Sequence, residues 1–129
     1  MDDALIDAAR AARENAYAPY SRYAVGAALE TADGRIFTGA NVENASLSLT
    51  NCAERVALGA AVTAGARQFN RLVVVTVSSP PAAPCGACRQ MLSEFGGDMT
   101  VEAVGPGGVR RWRLAELLPD AFAEDDLAT

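Results

Sequence analysis

Histidine and lysine are both missing from these 129 residues, and each absence removes a class of chemistry. Without histidine there is no Ser–His or Cys–His dyad for nucleophilic hydrolysis. Without lysine there is no Schiff base, no pyridoxal-phosphate enzyme and no Walker-type phosphate loop. All 11 basic residues are arginine and the net charge is −5. Such an acidic chain disfavours nucleic acid and favours a neutral small molecule. No apolar run approaches the ~20 residues of a membrane span, so no membrane partner is expected. The opening Met1-Asp2-Asp3 is acidic, whereas a secretory signal starts with positive charge and an apolar block. Three cysteines are an odd number, which argues against a disulfide framework. A reducing, cytoplasmic setting fits, and it keeps thiols free.

The length suits one domain over residues 1–129, with a core that needs no staples. Leu5, Ile6, Ala9, Ala12, Ala16 and Tyr17 recur at helical spacing, which predicts an amphipathic helix over roughly residues 3–17, stopped by Pro19. Val25–Glu30 and Arg35–Val42 flank Ala32-Asp33-Gly34 as a strand–turn–strand unit. A second helix is predicted from near Asn51 to Gly65, with Val56, Ala57, Ala60 and Ala61 facing the core. Leu72–Val77 is a continuous apolar, mostly β-branched run, the pattern of a central strand covered on both faces. After the Pro-rich loop Ser79–Pro84 come a helix over about Gly86–Phe95, strands near Met99–Val104 and Val109–Leu114, and a helix around Ala115–Leu118. The order αββαβαββα predicts an α/β fold: a three-layer α-β-α sandwich around a mixed five-stranded sheet. Arg110-Arg111-Trp112-Arg113 is read as a strand with Trp112 turned to the core and its arginines solvated.

The chemistry concentrates in Cys52-Ala53-Glu54 and Pro84-Cys85-Gly86-Ala87-Cys88. Three thiolates make a three-ligand zinc site, which leaves a position for water, and a carboxylate stands two residues from the first thiol. Both clusters fall at predicted helix starts, where the helix dipole favours thiolates. Three thiolates on Zn²⁺ leave a net −1 charge, and Arg55, adjacent to Glu54, is placed to offset part of it. Each element alone has a plainer reading. Cys85 and Cys88 fit a redox dithiol, Cys52 a small buried hydrophobe, and Asn51-x-x-Glu54 a variant capping box. Taken together, the motifs match deaminases that activate water on zinc. Those carry [His or Cys]-x-Glu followed by Pro-Cys-x-x-Cys, with the glutamate as proton shuttle.

The flanks narrow this further. Gly39-Ala40-Asn41-Val42-Glu43-Asn44-Ala45-Ser46, Cys52-Ala53-Glu54-Arg55 and Pro84-Cys85-Gly86-Ala87-Cys88-Arg89-Gln90 closely resemble the small homotetrameric cytidine deaminases. Pro19-Tyr20-Ser21, Val25-Gly26-Ala27-Ala28, Leu117-Leu118-Pro119 and Ala121-Phe122 extend the match from about Ala16 to Phe122. The resemblance implies deamination of cytidine and 2′-deoxycytidine in pyrimidine salvage. It implies one zinc per chain on Cys52, Cys85 and Cys88, with Glu54 carrying protons from the zinc-bound water to ring N3 and to the departing amino group. Asn41 and Glu43 resemble the ribose-binding pair; an amide and a carboxylate two apart on a strand project to one face and suit a sugar hydroxyl. Without the resemblance they read as polar residues at a strand end. The Ala53 N–H resembles the contact to the pyrimidine O2, and Phe122 an aromatic ring lent to a neighbouring subunit of a homotetramer. Two positions depart from the family's usual residues. Tyr23 stands where a phenylalanine commonly stacks, and its hydroxyl needs a partner. Leu47 stands where an aromatic residue is frequent.

Overall fold

Helix α1 (Ala4–Arg13) starts where Asp3 can cap it. The Asp3 Oδ1 accepts the N–H groups of Leu5 and Ile6 at 3.1 and 3.2 Å, satisfying two donors that the first turn leaves free. The helix ends four residues before the predicted Tyr17. Tyr17 has a better use for its backbone: its N–H donates to the Asn41 carbonyl and its carbonyl accepts from Glu43, both at 2.9 Å. The periodicity continued to Tyr17, but a pairing with the distant segment at Val42 won.

The computed structural model describes residues 3–127. Strands β1 (Gly26–Thr31) and β2 (Ile36–Ala40) form the predicted hairpin, with Gly34 at φ +89° in its turn. Helix α2 (Ala53–Thr63) follows a short 3₁₀ turn at Leu47–Leu49 and stops at Gly65, φ +98°. Strand β3 (Phe69–Val75), helix α3 (Gly86–Ser93), strands β4 (Thr100–Gly105) and β5 (Gly108–Arg113) and the short helix α4 (Leu114–Leu117) complete the order, before a 3₁₀ turn at Glu124–Leu127. The sheet runs β2-β1-β3-β4-β5, with β3 and β4 parallel and the other pairs antiparallel. This is the mixed five-stranded sheet expected. The parallel pair needs a crossover, and α3 lies on it.

The two faces of the sheet carry different helices. Ala28, Val73, Val75 and Val104 pack with Leu5 and Ala9 of α1. Ala27, Leu29, Leu72, Val74 and Val101 pack with α2 and with Leu92 of α3. Central β3 is therefore covered on both sides, as its unbroken apolar run requires. On α2 the buried face is Ala53, Glu54, Ala57, Leu58 and Ala61. Ala60, expected in the core, is exposed, and Leu58 takes its share of the packing. Trp112 packs against the α2 side, and Arg110 lies over its ring at 4.6 Å.

Two glycines let the helices approach. A Cβ at Gly26 would stand 2.0 Å from the Ala9 carbonyl of α1, and one at Gly39 would stand 2.4 Å from the Ala53 carbonyl of α2. On the α1 face, buried Glu102 (4% exposed) accepts from Arg71 Nε at 2.6 Å, and Arg71 Nη2 reaches Asp3 at 2.5 Å. That bridge ties the start of α1 to β3 and β4. Among the described residues no helix is long and apolar enough to cross a membrane.

Candidate active site

Two helices begin beside the carboxyl end of β3, and each begins with a cysteine. Cys52 is the N-cap of α2 and Cys85 the N-cap of α3, with neither side chain spent on capping. Cys88 lies one turn into α3 and is fully buried. The three Sγ atoms lie within 4.8 Å of one another. Thiolates bound tetrahedrally at ~2.3 Å stand ~3.8 Å apart, so the trio needs little adjustment to hold one ion. Among the described residues no carboxylate joins the group as a fourth ligand. Cys52 is shifted toward its thiolate. A hydrogen bond with Cys88 holds its pKa down to about 5 against the effect of burial, helped by Cys85 and by the charge of Arg55. Cys88 is pushed up by that same hydrogen bond, by burial and by the Glu54 carboxylate.

Glu54 is only 6% exposed. Burial raises its carboxyl above the ordinary range; the Cys52 thiolate adds to the rise and the Cys88 thiol opposes it. Arg55 donates from Nη2 to the Thr50 carbonyl at 2.7 Å, and its Nε is buried without a hydrogen-bond partner. An unpaired buried cationic donor beside thiols suits an anionic cluster.

A cleft of about 290 Å³ opens over these groups. Cys52, Cys85, Ala53, Glu54, Asn41 and Glu43 all line it, so residues from three segments of the sequence meet there. Ala53 opens α2, and a first-turn N–H has no partner within its own helix. Asn41 Oδ1 accepts the Val25 N–H at 2.9 Å and its Nδ2 donates to the Tyr23 carbonyl at 2.8 Å. Glu43 Oε1 accepts from the N–H groups of Tyr20 and Ser21 at 3.0 and 3.1 Å, and Oε2 takes the Ser21 hydroxyl. The Ser21 hydroxyl and these N–H groups hold its carboxyl below the usual range. Both side chains thus brace the segment over the cleft while facing into it.

A family model described as the zinc-binding region of cytidine and deoxycytidylate deaminases matches residues 1–103. A cytidine deaminase of Sporosarcina psychrophila is 48% identical over 126 residues, 96% of this chain and 93% of the relative. The chain belongs to the cytidine deaminase family. Among solved members, the crystal structure of cytidine deaminase from Burkholderia pseudomallei is 54% identical with a TM-score of 0.90, covering 95% of this chain and all of that one. That from Mycobacterium tuberculosis is 44% identical with a TM-score of 0.78, covering 92% and 94%.

Three residues that the family resemblance singled out take particular places. Tyr23 lines the cleft, and its hydroxyl has the partner it needed, the Ser78 hydroxyl. Phe122 stands outside the cleft and is 57% exposed, while its carbonyl accepts from Gln90 Nε2 at 2.8 Å. Leu47 is 71% exposed on the 3₁₀ turn before α2. Sequence reasoning assigned no role to Ser21, Thr50 or Ser78. The Pro19-Tyr20-Ser21 turn carried a weak signal for the first, because serine hydroxyls bond readily in turns. Nothing in the local sequence marks the other two.

Proposed function

We propose that this chain is a zinc-dependent cytidine deaminase that hydrolyses cytidine and 2′-deoxycytidine to uridine and 2′-deoxyuridine, releasing ammonia. The observation that carries the reading is the meeting of three thiols from two helix starts with a buried carboxylate in one cleft. Zinc suits the donor set, being borderline-soft and content with three protein ligands and one open position. Cys52, Cys85 and Cys88 would hold one ion per chain. When bound, zinc supplies the Lewis acidity that makes water nucleophilic near neutral pH. The net negative charge of three thiolates on Zn²⁺ is offset by the two helix dipoles and by Arg55.

The chain's own residues then manage the protons and the pose. Glu54 accepts a proton from the attacking water and passes it to ring N3; it then takes the proton of the new C4 hydroxyl and delivers it to the amino group, which leaves as ammonia when the C4–N bond breaks and the C4 carbonyl forms. Burial raises the Glu54 carboxyl above the ordinary carboxylate range, which makes it a stronger base toward the attacking water. The Ala53 N–H receives the pyrimidine O2, and the Tyr23 ring forms one wall. Asn41 still has one N–H and one lone pair after its two protein bonds, and the Glu43 carboxylate has about one acceptor site free after three. That residual capacity is what a pair of sugar hydroxyls needs.

The exposed Phe122 ring supports a site completed between subunits of a homotetramer. Leu47, Leu49 and Tyr20 are also exposed apolar groups that an assembly would cover. The role proposed is pyrimidine salvage in the cytoplasm. The test is ammonia release from cytidine, measured with zinc content on the same sample. About one zinc per chain with cytidine-dependent ammonia is expected; zinc-loaded protein that releases none would overturn the reading.

A further inference from the structure

Tyr23 is held at three points. Its N–H donates to Ser21 Oγ at 3.0 Å, its carbonyl accepts from Asn41 Nδ2 at 2.8 Å, and its hydroxyl pairs with the hydroxyl of Ser78, 55 residues away. The ring lines the cleft, but Ser78 does not. The phenol oxygen is therefore spent behind the wall, and a ligand meets the aromatic face.

Ser78 is itself anchored to the sheet. Its N–H donates to Thr76 Oγ1 at 3.2 Å, and the Thr76 N–H donates to the Val104 carbonyl at 3.0 Å. Its carbonyl sits so close to Gly105 that a Cβ there would stand 2.3 Å from the oxygen. The connection that starts here runs through Ala82 and Ala83, which line the cleft, to Cys85. One side-chain pair thus joins the 20–24 segment on one side of the cleft to the β3–α3 connection on the other.

We propose that the Tyr23–Ser78 hydroxyl pair is a latch that fixes the Tyr23 ring as a wall of the cleft and sets nucleoside affinity without entering the chemistry. The inference rests on the cleft being a nucleoside site, as proposed above. Two hydroxyls that each donate and accept hold a ring in one orientation; a phenyl ring in the same place is held by packing alone. Tyr23 and Ser78 are in this sense positioning residues. Their effect falls on KM, because the ring meets ground state and transition state alike.

The experiment compares Tyr23→Phe, Ser78→Ala and the double variant in cytidine deamination, and in backbone hydrogen exchange without substrate. Each single variant should raise KM about two- to tenfold, the worth of one hydrogen bond, with kcat within about twofold. The double variant should resemble the worse single one, because both remove the same bond. Exchange should rise in residues 20–24 and 77–83 of Tyr23→Phe and stay unchanged in α1. Penalties that multiply in the double variant, or a fall in kcat matching that in kcat/KM, would overturn the role in affinity. Unchanged exchange in both segments would overturn the latch itself. A wild-type chain that holds zinc but leaves cytidine untouched sinks the nucleoside reading instead, and the exchange comparison still decides the latch.

Discussion

The Asn51 N–H donates to the Val42 carbonyl and the Val42 N–H donates back to the Asn51 carbonyl, each at 2.9 Å. This reciprocal pair settles what Glu54 is free to do. The capping-box reading needed the Asn51 N–H as the target of the Glu54 carboxylate, and that donor is taken. The helix also starts one residue later than a cap at Asn51 requires, with Cys52 as N-cap. Glu54 is left as a buried carboxyl facing the cleft.

Glu54→Gln should therefore abolish turnover without harming the protein. The amide keeps the shape but takes no proton, so kcat should fall by a factor on the order of 10²–10⁴ or more. Zinc content should be unchanged, and thermal stability unchanged or raised, since no charge is buried at that place. A variant that keeps its activity would remove the proton-shuttle role.

Cys85→Ser separates metal binding from folding with particular clarity. Cys85 is the N-cap of α3 and makes no capping hydrogen bond, whereas serine is a favoured residue there. The variant should keep its secondary structure and lose most of its zinc, because a hydroxyl ionises far less readily than a thiol. Full zinc retention would sink the three-thiolate assignment.

Arg55→Ala should shift the site's response to acid. Cys52 is held down chiefly by Cys88, and the Arg55 charge contributes to the same shift. Without that charge the thiol pKa rises and protons compete with metal at higher pH. Zinc loss on acidification should begin at a higher pH than in wild type, and the acid limb of activity should move the same way. An unmoved profile would reduce Arg55 to a packing residue.

Glu102 gives a pH prediction away from the metal. Burial raises its carboxyl, but the hydrogen bonds and charge of Arg71 outweigh this and hold it below the ordinary value of 4.5. A carboxylate with a depressed folded pKa contributes stability above its unfolded pKa and loses it as pH falls through the folded one. Glu102→Gln should cost about 1–3 kcal/mol at neutral pH. Its stability should also decline less steeply than that of wild type below about pH 4.5, as denaturant titrations at several pH values would record. Parallel declines in the two proteins would deny the bridge this role.

Phe122→Ala should raise KM for cytidine on the order of tenfold, the worth of one base–aromatic contact, with zinc content unchanged. Mixing Phe122→Ala chains with Glu54→Gln chains should restore part of the activity, since a hybrid can assemble a site with both wild-type residues. Full activity in a demonstrably monomeric preparation, or no recovery in confirmed hybrids, would rule the shared site out.

The parts of this molecule that were legible in its sequence are those written locally. A β-branched run marks a strand buried on both faces, Gly34 and Gly65 mark stops, and Cys-x-Glu and Cys-x-x-Cys place thiols at helix starts. What could not be read depends on partners far along the chain. Tyr17 left the helix for Asn41 and Glu43, and no local periodicity reports that choice. Ser78 became the partner of Tyr23 across 55 residues, and Ser21 became the partner of Glu43 across 22. Asn41 and Glu43 were legible as polar residues on one face, but their work in bracing residues 20–25 appears only with the backbone around them. Ala60 was misplaced because an alanine-rich helix offers weak contrast between its faces.

The close approach at Gly39 makes the geometry of the three thiols partly a matter of layer spacing. Residue 39 has no side chain to chelate, donate or stack, yet it sets how far the first turn of α2 stands from β2. One thiol rides on that turn and the other two ride on α3. A single added carbon at position 39 would lever α2 outward and widen the thiol triangle with every ligand still present. Tight retention of an ion would then depend on a glycine in the sheet as well as on the cysteines themselves.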